Sequence, residues 1–309
     1  MSGSSAYAIR RILVSIPVLL GVSLLIFFSI RLIPGDPARL MAGEDATLED
    51  IERLRRRYGL DRSPLTQYGL FVIRLLQGDL GTSLRTDEAL AEELQTRYVN
   101  TLALASFSIL IAISISIPVG IYSAVRRGSA DERFVFLGSL VGIAAPSFWI
   151  ALMLQLIFSV KLQLLPTTGI GGIRELILPA ITVAAYPTAS LARQTRAAML
   201  EVLSERYIKM ARAKGVGNFR LYAHHALRNA LIPVVTLAGY QFARALGGAI
   251  IAETVFAYPG LGRYLILSIR VRDYPAIQVT VLLIAVTYIF LTLLTDLVYS
   301  LLDPRITYK

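Results

Sequence analysis

A chain of 309 residues that is 55% hydrophobic and only 17% charged carries more apolar surface than a soluble fold of this length hides. Its formal charge of +10 is the usual footprint of phosphate binding. The basic residues gather between apolar segments, however, as membrane orientation requires, so nucleic acid is not expected as a partner. No cysteine is present, which excludes disulfides, thiol nucleophiles and cysteine metal sites.

Arg10 and Arg11 follow a short polar lead and precede an apolar run from Ile12 to Ile33. That run is too long for a signal-peptide core and lacks a small-residue cleavage site, so it predicts a retained first span. Residues 34–100 predict an external helical insert. Thr47 with Asp50 reads as a capping box, and Leu48, Ile51, Leu54 and Tyr58 then recur at helical spacing. Ser63-Pro64 is a cap and first-turn pair before an apolar-periodic run, Leu65 to Leu76. Gly78-Asp79-Leu80-Gly81 breaks the chain before a third amphipathic helix, Glu88 to Tyr98.

Five further spans follow: Thr101 to Val125, Phe134 to Val160, Ile177 to Met199, Leu231 to Phe256 and Ile277 to Leu302. Six crossings put residues 1–11 and 303–309 on one side, together with Arg126, Arg127, Arg133 and the segment from Arg193 to Arg228. That side is expected to be cytoplasmic. Residues 161–176 and 257–276 become external loops, and residues 200–230 a cytoplasmic one. Arg263, Arg270 and Arg272 in the outer loop dissent mildly. Prolines 17, 118, 146, 179, 187 and 233 lie in or at the ends of spans, and Gly138 with Gly142 forms a small-residue pair; together they predict a bent, closely packed bundle.

The search for catalytic chemistry is negative. No GxxxxGK[ST] phosphate loop, HExxH or GxSxG occurs, so the chain is expected to be no enzyme and to bind no ATP, cofactor or metal itself. His224 and His225 are adjacent and point about 100° apart on a helix, which denies them a shared metal face.

The informative segment is Glu201 to Pro233, too polar to span. Leu203, Tyr207, Met210 and Ala211 keep helical spacing, Gly215-Val216-Gly217 breaks it, and a second amphipathic run extends from Phe219 to Ala230. A helix, a glycine turn and a second helix make a compact knob. Such a knob suits the groove of a partner protein, and equally an anionic lipid surface.

Tyr207 to Gly215 (YIKMARAKG) and His225 to Pro233 (HALRNALIP) closely resemble the EAA-type cytoplasmic loop of ATP-binding-cassette (ABC) importer permeases. The form is that of the dipeptide, oligopeptide and nickel branch, which includes glutathione importers, and of the first, B-type, permease of its pair. Ala211-Arg212-Ala213 falls at the family's triplet, Gly217 at its glycine and Leu227 to Ala230 at its ending; the leading Glu and final Pro are missing in this register. Leu32 to Pro37, Tyr58 to Asp61, Gly78 to Gly81, Glu253 to Phe256, Tyr258 to Gly262 and Asp303-Pro304-Arg305 also match the branch, so the resemblance covers nearly the whole chain.

The resemblance implies an all-α, six-span type I permease bundle in a bacterial or archaeal cytoplasmic membrane. It also implies a second homologous permease as heterodimer partner, two ATPase subunits that bind ATP and magnesium, and an extracytoplasmic substrate-binding protein. Coupling to the ATPases then falls to Glu205, Tyr207, Ala211, Arg212, Ala213, Lys214, Gly215, Gly217, His225, Leu227 and Arg228, with small size mattering most at Ala211, Gly215 and Gly217. Ionisable groups within spans are costly and default to functional candidates, so Arg244, Glu253 and Asp296, with Tyr240 and Gln241, form the expected translocation path. Bridges between helices, or positions in water at span ends, account for the same charges. Peptides are the expected cargo. Glutathione, nickel chelates, opines or sugars are the alternatives within the family, and a self-contained channel is the alternative outside it.

Overall fold

The computed structural model describes residues 3–32, 36–42, 46–169 and 172–302. Its helices, in chain order, are α1 (Gly3–Arg31), α2 (Pro37–Ala42), α3 (Leu48–Arg57), α4 (Pro64–Leu76), α5 (Leu90–Val125), α6 (Ala130–Ala144) and α7 (Ser147–Leu154). After a π-helical turn, Gln155–Lys161, come α8 (Ile173–Ser204), α9 (Arg206–Ala213) and α10 (Asn218–Arg220). A second π turn, Leu221–Ala226, then leads into α11 (Leu227–Val255), α12 (Leu261–Val271) and α13 (Tyr274–Leu302). Among the described residues, five helical stretches are long and apolar enough to span a membrane, and α6 with α7 and its π extension makes a sixth if that bent pair is one span.

The stretch expected as one span, Phe134 to Val160, is bent sharply at Pro146, one of the prolines expected to bend the bundle. The two halves meet at 106°. Pro146 is responsible: its ring holds Ala145 in an extended conformation (φ −69°, ψ 128°), and Pro146 itself starts α7 from an extended geometry. Pro17, Pro118, Pro179, Pro187 and Pro233 all sit inside unbroken helices. The helix expected over Glu88 to Tyr98 is also revised, because it is the first part of α5 and runs on into the span.

The chain divides into two compact units, Leu102–Tyr258 with Tyr288–Lys309 and Met1–Ile9, and Arg10–Thr101 with Pro259–Thr287. In the first unit α8 packs along α11, and α6 and α7 pack against this pair. In α8, 56% of the most apolar window is buried, whereas α1 buries 17% of its own, so α8 is a core helix and α1 presents its sides outward. Helix association in lipid gains little from apolar burial and depends on close backbone approach. Gly239 of α11 supplies such an approach: a Cβ there would fall 2.4 Å from the side chain of Thr295. Of the expected small pair, Gly142 faces Ala189 at 3.1 Å, but Gly138 has nothing within 4 Å. Several buried hydroxyls are satisfied within their own helices: Thr182, Thr195 and Thr295 donate to carbonyls four residues back.

In the second unit the capping box forms, with Thr47 and Asp50 exchanging side-chain and backbone hydrogen bonds at 3.3 Å. Ser63 caps α4 ahead of Pro64. The expected outer loop folds into α12, and Asp273 then caps α13 by accepting from the Ala276 N–H at 3.2 Å. The same carboxylate holds Ser83 Oγ and the Leu84 N–H, tying residues 83–84 to the start of α13. Of the family-like stretches, residues 33–35 and 303–305 lie outside the described residues.

Candidate functional site: a docking knob and a polar cleft

The knob begins where α8 ends. Glu205 is exposed and extended (φ −65°, ψ 148°), with no side-chain cap bond, and it redirects the chain into α9. This break resets the helical phase, which corrects the apolar stripe expected from Leu203 through Tyr207, Met210 and Ala211. The buried side of α9 is Ile208, 1% exposed, with half-buried Ala211. Both pack into a cluster with Met199, Leu221, Ala226 and Ala230. Tyr207 and Met210 face outward, and Phe219 beyond the turn is 84% exposed.

The turn closes as a Schellman motif. The Gly215 N–H bonds the Arg212 carbonyl at 3.0 Å and the Val216 N–H bonds the Ala211 carbonyl at 3.2 Å. Gly215 sits at φ +80°, the left-handed region where a side chain is strained, and Val216 joins Ala211 in the cluster, the apolar contact that accompanies such caps. Gly217 is different. It starts α10 with φ −61°, and a Cβ there would meet nothing within 4 Å. The turn's backbone angles therefore do not call for a glycine at 217.

The other coupling candidates separate by exposure. Arg212, Ala213, Lys214 and Arg228 are exposed, while His225 and Leu227 are half-buried. The His225 ring stands edge-on to His224 at 5.4 Å within the π turn. Asn229, which sequence reasoning passed over, donates from Nδ2 to the Tyr207 hydroxyl at 2.7 Å and joins α9 to the first turn of α11. The outward face is thus apolar at Tyr207, Met210 and Phe219 and basic at Lys209, Arg212, Lys214 and Arg220. A second brace escaped notice as well. Glu132, at the start of α6, accepts from Arg196 Nε at 2.8 Å and from the Gly128 N–H, which pins residues 128–132 to α8.

The five path candidates do not form one cluster. Gln241 and Arg244 line a cleft of about 420 Å³ together with Tyr186 and Thr182 of α8 and the region around Pro146. Arg244 is exposed; it donates to the Tyr186 hydroxyl at 3.1 Å and lies 4.4 Å from that ring's centre, a cation–π arrangement. Gln241 is 5% exposed and donates from Nε2 to Ser190 Oγ at 3.0 Å, while its Oε1 has no hydrogen-bond partner among the described residues. Tyr240 donates to Asp296 of α13 at 2.6 Å, and Asp296 is 6% exposed, so water at a span end does not explain it. Glu253 is fully enclosed in α11. Burial, reinforced by the Glu253 charge, raises the pKa of Tyr258 just beyond that helix. Among the described residues no group of three or more acidic or histidine side chains is arranged to hold a metal.

Comparison with known proteins agrees with this architecture. Residues 116–308 match the binding-protein-dependent transport system inner membrane component family, and residues 5–105 match the N-terminal domain of such membrane components. The dipeptide transport system permease protein of Alkalihalophilus pseudofirmus is 42% identical over 98% of this chain and 99% of its own length. The glutathione transport system permease protein of Salmonella paratyphi A is likewise 42% identical, with the same coverage. Among solved structures, an inward-facing form of the MetNI methionine ABC transporter superposes with a TM-score of 0.58 at 18% identity, covering 68% of this chain and 96% of the other. The chain belongs to the binding-protein-dependent transport inner membrane component family and is a multi-pass permease subunit of an ABC importer.

Proposed function

We propose that this subunit imports small peptides or a closely related solute, and that α9 with its glycine turn is the element through which ATPase subunits drive it. The carrying observation is the two-sidedness of α9. Ile208 and Ala211 fix it to the ends of α8 and α11, while Tyr207, Met210 and Phe219 stand exposed among basic side chains. A groove on a partner would take up those apolar anchors. ATP binding and hydrolysis in two such partners would move α9, and its rigid cluster would pass the movement to α8 and α11. Those helices line the polar cleft, so shifting them between two packings alternates access to it.

In this reading a second homologous permease completes the path and an extracytoplasmic binding protein delivers the solute. The chain itself hydrolyses nothing and needs no cofactor. Both termini and the knob lie in the cytoplasm, as the excess of Lys and Arg from Arg193 to Arg228 requires. The peptide assignment is supported by the dipeptide and glutathione permeases it resembles. It is also supported by a cleft that offers a cation at Arg244, which suits a carboxylate, and is lined by Gln241, whose buried Oε1 lacks a hydrogen-bond partner among the described residues. The test is uptake into vesicles holding this chain with its partner permease and ATPases. ATP-dependent accumulation of dipeptide or glutathione is expected. Conduction by this chain alone in liposomes, without ATPases, would overturn the reading.

A further inference from the structure

Within the second unit a cavity of about 550 Å³ opens beside the C-terminal end of α1, bounded by α4, the start of α13 and the connections on either side of α4. Its floor is aromatic and apolar, with Phe27 and Tyr274 buried. Five arginines line it, Arg31, Arg56, Arg57, Arg62 and Arg74, against two aspartates. The aspartates do not neutralise this excess. Asp87 is taken by Arg57 at 2.7 Å, and Asp79 accepts from the Gly81 N–H at 2.8 Å. Arg31 is held by the Phe27 carbonyl and Gln67. The exposed Arg62 and Arg74 side chains have no hydrogen bond or ion pair among the described residues. An independent observation points the same way. Gln278, 4% exposed, is part of the lining, and its amide Nε2 lacks a hydrogen-bond partner among the described residues. Free guanidinium groups over a donor without an acceptor specify an oxyanion.

The surroundings specify what carries that oxyanion. Arg31 is the last residue of a spanning helix, so the cavity lies at the level where hydrocarbon gives way to head groups. Leu24, seven residues before Arg31 on the same face of α1, is 45% exposed, and Leu25 is 66% exposed. Along α4, Leu65, Ile73 and Leu76 are 52% exposed or more beside Arg74, the pattern of a helix lying in the membrane interface. A free inorganic anion has no use for the apolar floor or flank. We propose that this cavity is a binding site for the phosphate head group of an anionic phospholipid, whose acyl chains run along the exposed side of α1.

The test uses the purified full-length chain in detergent, titrated with phosphatidylglycerol, phosphatidylcholine or inorganic phosphate, with bound lipid read by native mass spectrometry. Phosphatidylglycerol is expected to bind in preference to phosphatidylcholine. The double variant Arg62→Gln/Arg74→Gln is expected to weaken it about tenfold, since each basic side chain at a membrane surface contributes on the order of a few-fold to anionic-lipid affinity. The charge-matched variant Arg53→Gln/Arg85→Gln, on exposed side chains outside the lining, leaves it unchanged. Equal retention of the two lipids, or equal loss in both variants, overturns the proposal. Displacement of the lipid by millimolar phosphate assigns the site to a free anion instead. Unchanged lipid binding in the first variant, with lost capture of the extracytoplasmic binding protein, assigns it to an acidic protein surface.

Discussion

The Val216 amide reaches back five residues to the carbonyl of Ala211, and the two side chains meet in the same apolar cluster. This one bond fixes the end of α9 and the direction in which the chain leaves it. It forms only because Gly215, between them, turns left-handed at φ +80°.

Gly215→Ala is therefore expected to cost about 1 kcal/mol of local stability, because an L side chain is strained in that region. Nothing lies within 4 Å of the added carbon, so the cost is backbone strain alone. Gly215→Asn, which tolerates the conformation better, should lose less. Amide hydrogen exchange over residues 206–216 is the measurement; equal protection in the two variants would show that the cap does not hold the knob.

Gly239→Ala places a methyl 2.4 Å from Thr295. Overpacking of this kind costs about 1–3 kcal/mol, read as a lowered thermal midpoint in detergent. Adding Thr295→Ala should recover only part of the loss, because the Thr295 Cβ itself lies 2.9 Å from the new carbon. A fully restored midpoint would mean that the helices separate more readily than close packing implies.

Glu132 serves two partners, the Arg196 guanidinium and the Gly128 amide. Glu132→Gln keeps an acceptor for Gly128 and loses the ion pair, whereas Glu132→Ala loses both. The alanine variant should consequently show the greater exchange over residues 126–132 and the lower midpoint. Indistinguishable variants would place all of the effect on the ion pair.

Arg244→Glu is expected to lower ATP-dependent uptake at least tenfold, about 1.4 kcal/mol, by turning an attractive group in the cleft into a repulsive one. It also removes the contact to Tyr186, so Tyr186→Phe serves as the control for that contact alone. Unchanged uptake and substrate preference in Arg244→Glu would remove the cleft from the transport path.

The apolar runs made the spans legible in the sequence, since a stretch of about 20 apolar residues has few other stable solutions. The caps at Thr47 and Ser63 were legible too, because their partners lie three residues away. Which proline would break its span was not. Five other prolines sit inside intact helices, and sequence alone gives no way to tell which will break one. The phase of α9 was misread because the helical count carried across Glu205, where the chain is extended. Among the path candidates, Tyr240 with Asp296 and Arg244 with Tyr186 are 56 and 58 residues apart, so only the packed helices join them. The roles of Ile208 and Asn229 were hidden for the same reason: Ile208 packs on Met199, Leu221, Ala226 and Ala230, and Asn229 bonds Tyr207, 22 residues back on α9.

The central claim is that α9 and its turn form a surface through which ATPase subunits act. Gly217 tests it most directly, because the fold asks nothing of that position: the backbone is extended and no atom lies within 4 Å of an added carbon. Gly217→Trp should insert into the membrane and keep wild-type exchange protection in α9. It should nevertheless lose ATP-driven uptake in vesicles containing the partner permease, the ATPases and the binding protein. Uptake at the wild-type rate by that variant would contradict the account.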